Sequence, residues 1–336
     1  MRSQLPEPDP LGNRPAPVTG SLQPHFLDDN LRERSEQALA TCLATWIKND
    51  RQDIIIAQIR AYLGVWRISA DRSSVGGRRL SQYSQAGKSA TMKRLRKVLA
   101  HEAQMRGENK NKYRVVIITL KKRLTLKSLY RLILKKIGDP HHDQEKVSVE
   151  TLVTRIEEHS ARVGVELIVI DEVQHLDNVT KDAMDVLDQL KVFVDEALFP
   201  IVFVGDEDSE GFFERNAKFA ARLGDPLKLE PLRPLPGTPD AEAFEQFCHR
   251  FDLALRKAGA IDRLAGLKNQ HLLNGLMEAS GGHLGRVARI LQVAVPHAVW
   301  RGAETLDAYD LSHAVRTYAI KNKWVLHDPY STKAGR

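Results

Sequence analysis

From Leu31 to Leu63 apolar residues recur every three or four positions, at Leu39, Leu43, Trp46, Ile47, Ile55, Ile59 and Leu63. This spacing predicts two helices separated near "KNDRQD". Further along, the pattern changes to short β-branched runs. "YRVVIITL" (Tyr113 to Leu120), "VELIVID" (Val165 to Asp171) and "FPIVFVGD" (Phe199 to Asp206) have the continuous apolar character of strands buried on both faces. Amphipathic stretches lie between them: one starts at Thr125 and stops at Gly138, one is capped by Ser148 and stops at Gly164, and a third reads "KDAMDVLDQLKVFVDEA". Strands alternating with helices in units of this size predict an α/β protein, a parallel sheet flanked by helices. After the proline-broken "LEPLRPLPGTPD" the helical spacing returns and continues to the end, which predicts a separate C-terminal α-helical domain.

These patterns divide the chain into an extended leader (1–29), N-terminal helices (30–68), an α/β core (69–235), a helical domain (236–320) and a tail (321–336). The leader carries Pro6, Pro8, Pro10, Pro15, Pro17 and Pro24, too many for a helix or a central strand. With 42% hydrophobic and 28% charged residues the chain can bury a core, and it is not compositionally disordered. No apolar run approaches the roughly 18 residues that span a bilayer, and the amino terminus has no apolar signal core. A cytoplasmic protein with no membrane partner is expected. Cys42 and Cys248 lie far apart and make neither a metal cluster nor a disulfide framework, which fits a reduced compartment. His141, His142 and Asp143 read as a solvated turn rather than a metal site.

The formal net charge of +7 makes an anionic partner plausible, and its distribution is more informative than the sum. Between Arg114 and Lys136 the chain carries Lys121, Lys122, Arg123, Lys127, Arg131, Lys135 and Lys136 with no acid.

The candidate chemistry begins at "LSQYSQAGKSATMKRL". A phosphate loop has glycine, four residues, then Gly-Lys-Ser/Thr: backbone amides wrap the phosphates, the lysine reaches the outer ones and the hydroxyl meets magnesium. Gln85, Ala86, Gly87, Lys88, Ser89 and Ala90 fit the second half, followed by a plausible helix, but Gln82 stands where the first glycine belongs. The expected consequence is ATP binding that is weaker, or complete only on assembly. Such a site needs an acid at the end of a buried strand to hold magnesium, and a second to polarise the attacking water. "ELIVIDEVQHL" delivers both, as Asp171 and Glu172, about 80 residues later. Asp206, ending the third strand, is a candidate contact to the γ-phosphate or the water, unusual in being acidic.

The order "AGKS", "TLKSLYRLILKKIGDP", "LIVIDEVQHL", "PIVFVGDED", "FAARLGDPLKLEPLRP" and "SGGHLGRVARIL" resembles the transposon-encoded AAA+ ATPases of the TniB/TnsC group, and more distantly MuB and the replication initiators. That resemblance covers about residues 30 to 320. It implies an AAA+ P-loop NTPase core with a helical lid, ATP and magnesium as cofactors, and a homo-oligomer, ring or filament, on double-stranded DNA. A transposase and a target-selection adaptor would be the protein partners. Arg222 would act in a neighbouring subunit's ATP site and Arg286 would reach the γ-phosphate from the lid, with Arg289 as the competing candidate. Lys121, Lys122, Arg123, Thr125 and Lys127 would follow DNA phosphates with little sequence preference. Two rival readings are a replication initiator or helicase loader, and a nucleotide-binding scaffold deficient in hydrolysis.

Overall fold

The computed structural model describes residues 29–331 apart from 84, 86, 178, 179 and 234. The expected leader except Asp29, together with Ala86 and the end of the tail, lies outside the described residues. Helices α1 (Asp29–Ala44) and α2 (Asp50–Ile68) are followed by strand β1 (Arg78–Ser81), α3 (Lys88–Met105), β2 (Val115–Thr119), α4 (Leu126–Ile137) and α5 (Val149–Val163). Then come β3 (Leu167–Asp171), α6 (Lys181–Asp195), β4 (Ile201–Gly205) and the short helices α7 (Asp208–Arg215) and α8 (Ala217–Ala220). The chain ends in α9 (Pro239–Lys257), α10 (Gln270–Ser280), α11 (Leu284–Trp300) and α12 (Ala308–Ala314), whose last turn widens into a π turn, Val315–Ala319.

Local chemistry sets the predicted boundaries. The hydroxyls of Thr125 and Ser148 accept from the N–H groups of Ser128 and Thr151 and so cap α4 and α5. Gly138 and Gly164 end the same two helices in the left-handed conformation.

All strand pairs are parallel, in the order β1-β4-β3-β2. One face of the sheet packs with α2 and α3 through Ile59, Leu63, Met92 and Leu95; the other packs with α4, α5 and α6 through Leu129, Ile133, Ile156 and Leu190. The chain leaves β1 on the first face and leaves β4 on the second, through Phe212 and Phe219. Neighbouring parallel strands whose connections diverge to opposite faces leave a crevice at their carboxyl ends. Here that crevice lies between β1 and β4.

β1 has Leu80 as its one fully buried apolar residue. Its two arginines lie against rings instead, Arg78 over Tyr62 and Arg79 over Phe213, each 4.9 Å from the ring centroid. On the side away from β4, the described residues make isolated bridges, Leu80 of β1 to Leu227 and Gly77, just before β1, to Leu223.

The two N-terminal helices divide between the halves of the molecule. α2 packs on the sheet, whereas Ala38 and Cys42 of α1 belong to the lid core, built mainly from α9 to α12. The chain thus crosses between core and lid twice, at residues 45–49 and 230–238. Asp240 pins the crossings together: its carboxylate accepts from Arg51 at 2.9 Å and from the Arg233 N–H at 2.8 Å. Tyr330, beyond α12, packs into the lid core and donates to the Leu272 carbonyl at 3.0 Å. No helix among the described residues is long and apolar enough to cross a membrane.

Candidate functional site

At the β1/β4 crevice the chain leaves β1, turns through Gln85, which has φ 60, and reaches Gly87, at φ 106, before α3 begins at Lys88. A side chain at Gly87 would be strained by that φ and would press on Gln52. Gln82 is not among the residues with positive φ, so the position of the expected first glycine makes no left-handed demand here. Its N–H donates to the Gly205 carbonyl at 3.1 Å, continuing the strand pairing.

Lys88 is buried, and its ammonium donates to the carbonyls of Gln82 at 2.7 Å and Gly205 at 2.6 Å. Burial lowers its pKa from the ordinary lysine value, against the pull of Asp206, Glu172 and Asp171. Across the crevice Asp171 ends β3, and Glu172 follows in a left-handed conformation, φ 63, uncommon for a residue with a side chain. Gln174 ties the acids: its Nε2 donates to Glu172 Oε2 at 2.7 Å and to Asp206 Oδ2 at 2.9 Å. Burial pushes the Asp171 carboxyl above the ordinary range, with Glu172 adding to the rise, and burial likewise raises Asp206.

A cavity of about 540 Å³ opens onto Lys88, Glu172 and Asp206, with Asp171 behind its lining, and lies within the range usual for small-molecule sites. Its floor is Gln85, Gly87, Lys88 and Ser89, with Ala90 beside them; Glu172 and Asp206 stand at one side. The far wall is apolar and aromatic: Trp46 and Ile47 from the first crossing, Phe247 and Phe251 from α9, Leu284 and Ala288 from α11. Arg289 and Gln292 complete it. A buried cation held only by carbonyls, facing carboxyls raised by burial, fits a phosphate chain carrying a hard cation: the anion would satisfy Lys88 and the cation would relieve the acids. Ser89 and Asp171 are the residues that could hold magnesium there. The apolar end suits a flat base.

The arginines separate. Arg289 lines the cavity, its Nε donating to Tyr318 Oη at 3.1 Å. Arg286 is not part of the lining; its guanidinium carbon lies 5.1 Å from the Trp324 ring centroid and 5.9 Å from that of Tyr83. The glycines before it shape the lid entry: Gly282 has φ +76, and a Cβ there would lie 2.0 Å from the Leu232 carbonyl oxygen. Arg222 stands at the amino end of β1, away from the cavity, where its carbonyl accepts from the Gly77 N–H and its Nε donates to Asp195 at 2.7 Å.

The basic residues follow β2 on the carboxyl side of the sheet. Lys121, Lys122, Arg123, Thr125 and Lys127 are exposed, while Leu124 and Leu126 turn inward and pack on the core. Arg123 has φ 61. The salt bridges nearest along the chain belong to Arg114 and Arg155, outside this segment. The stem of the turn is bonded to the acidic segment: the Leu120 N–H donates to the Asp171 carbonyl at 2.9 Å, and the Leu120 carbonyl meets His175 Nδ1 at 3.0 Å. His141 and His142 contact Asp139, which is ion-paired with Arg155.

Sequence reasoning missed Trp46, Phe247 and Phe251, whose helical spacing signals a core while nothing local shows that they wall a cavity, and Tyr318, which bonds to Gln85 and Arg289 from outside the lining.

Residues 83–213 match the protein family described as AAA domain. No curated protein matches the chain. Among solved structures, the ORC2 protein of Aeropyrum pernix in its ADPNP-ADP complexes aligns with TM-score 0.60 at 15% identity, over 82% of this chain and 71% of that one. CDC6P from Pyrobaculum aerophilum aligns with TM-score 0.56 at 15% identity, over 83% and 70%. The ORC1 protein of A. pernix in complex with DNA aligns with TM-score 0.54 at 16% identity, over 85% and 70%. Together with the four-stranded parallel sheet flanked by helices, these likenesses identify an AAA+ P-loop NTPase fold with a helical lid, as expected.

Proposed function

We propose that this protein is an ATPase that binds double-stranded DNA under the control of ATP, and that it presents the DNA as a target to a transposase. The observation that carries the reading is a single cavity bringing Lys88 and Ser89 opposite Glu172 and Asp206, on the same side of the sheet as an exposed, acid-free basic turn.

Lys88 binds the outer phosphates in place of its two carbonyl partners; Ser89 and Asp171 would hold magnesium, which would supply neutralisation of phosphate charge. Glu172 orients and polarises the attacking water, and Gln174 keeps that carboxylate beside Asp206. Trp46, Phe247 and Phe251 exclude water from the base. Arg222 points away from its own cavity and acts on a neighbouring copy, so the working form is an oligomer. Lys121, Lys122, Arg123 and Lys127 contact DNA phosphates, with Thr125 at the start of α4 beside them.

The transposase and adaptor partners rest on the order of sequence motifs quoted above. The replication-initiator reading is favoured by the likeness to an ORC1 protein in complex with DNA and is kept as the second reading. The test is assembly on duplex DNA with and without ATP. Lys88→Ala should abolish the ATP-dependent assembly, whereas Glu172→Gln should preserve or prolong it. Equal DNA binding by both variants, with and without ATP, would overturn the proposal. ATP-dependent assembly that leaves strand transfer by a transposase from the same genomic neighbourhood unchanged would move the reading to an initiator.

A further inference from the structure

Tyr318 connects the phosphate loop to the lid. It lies in the π turn Val315–Ala319, a kind of turn that is often found at functional sites. Its hydroxyl has one proton and two lone pairs, and all three are used. It donates to Gln85 Oε1 at 3.1 Å and accepts from Gln85 Nε2 at 2.8 Å and from Arg289 Nε at 3.1 Å. The ring is fixed as well: it lies edge-on to Trp324 at 5.3 Å, with the Arg289 guanidinium 5.5 Å from its centroid.

Both residues held by the hydroxyl need holding. Gln85 is in the left-handed region, a conformation that a side-chain-bearing residue keeps only when its surroundings fix it. Arg289 offers five N–H donors. Among the described residues its hydrogen bonds run from Nε to Tyr318 and from Nη1 to Gln292 at 3.0 Å, which leaves donors for a ligand in the cavity that it lines.

We infer that Tyr318 is a positioning residue: it fixes Gln85 and Arg289 in one cluster, so that the lid guanidinium is aimed at the nucleotide phosphates before they arrive. The inference rests on the nucleotide-binding reading above. The side-chain clamp on Gln85 also orders the loop between β1 and α3. Binding to a loop already ordered loses less conformational freedom.

The test is the dissociation rate of a fluorescent, slowly hydrolysed ATP analogue from the full chain. Tyr318→Phe removes one oxygen and keeps both ring contacts, and a thermal melt checks that it folds. Dissociation should accelerate about tenfold, the scale for losing a hydrogen bond to a charged group. Arg289→Ala should accelerate it at least as much, and in that background Tyr318→Phe should add less than it does in the wild type, because only the clamp on Gln85 is then left to remove. Gln292→Ala, which removes the second bond orienting Arg289, should give an acceleration of the same sign. Wild-type dissociation in Tyr318→Phe, or fully additive losses in the double variant, would overturn the inference. If the wild-type chain binds no nucleotide, the site reading falls and this inference with it; if it binds and the variants are unaltered, only this inference falls.

Discussion

The phosphate loop after β1 and the basic turn after β2 occupy equivalent places in the fold. Each follows the carboxyl end of a parallel strand on the same side of the sheet, and the strand order puts three strand spacings between them, about 14 Å. Their surroundings differ completely. Lys88 is buried, bound by two carbonyls and faced by acids, within walls drawn from both halves of the molecule. Lys121, Lys122 and Arg123 are exposed, between Leu120 on one side and Leu124 and Leu126 on the other, which anchor them. Enclosure and opposing charge decide which anion each place suits. The first fits a compact, highly charged ligand that brings a cation; the second can contact a long polyanion without losing its own hydration.

The sharpest way to break this comparison is to remove the open end. Replacing Lys121, Lys122 and Arg123 together by alanine should lower duplex DNA affinity about 100-fold at 0.1 M salt and reduce the salt slope by nearly three, since each phosphate contact contributes about 0.9. Nucleotide affinity should not change, and a parallel loss in a nucleotide titration would mean that the two places are not separate sites. A middle-sized effect is expected where they are joined. His175→Ala removes the contact to the Leu120 carbonyl and should cut DNA stimulation of ATP turnover several-fold, corresponding to a coupling on the order of 1 kcal/mol, with unstimulated turnover retained. Unaltered stimulation would remove this connection from the account.

The smallest effect tests the strain of the enclosed end. The folded-state pKa of Asp171 is raised, by burial first and by Glu172 second. Its contribution to stability is therefore present below the unfolded carboxyl value of about 4 and is lost as pH rises through the folded value. At neutral pH the free protein carries the cost of a half-buried charge, so Asp171→Asn should melt about 2 °C higher at pH 7 and show no gain near pH 3. A lower melting temperature at pH 7 would show that the carboxylate stabilises the free site.

Much of this fold was legible because strong periodicity and capping chemistry coincide. The helices begin at the caps Thr125 and Ser148, and the three apolar strands pair as a parallel sheet. β1 was harder to read, because Arg78 and Arg79 are accommodated by Tyr62 and Phe213, partners far away in sequence. The pattern around Gln82 marks a missing glycine, yet among the described residues of the loop the left-handed ones are Gln85 and Gly87, three and five positions later. Arg286 and Arg289, three residues apart on one helix, share nearly the same face. Which of them meets the cavity depends on how α11 is turned, and that follows from its packing in the lid, not from local sequence. Trp46 and Phe247 come together from segments about 200 residues apart, where spacing alone gives no reason to pair them.

The placement of α1 within the lid core has a mechanical consequence. A lid attached by one strand could swivel in any direction, as on a ball joint. This lid is attached by two, at residues 45–49 and 230–238, and Asp240 fastens one to the other. Two adjacent attachment points restrict the directions in which the lid can turn on the core. Because Trp46 and Ile47 lie on the first of these crossings and also line the cavity, the residues that join the two halves also set the space at the apolar end, and a molecule bound there rests against the joint.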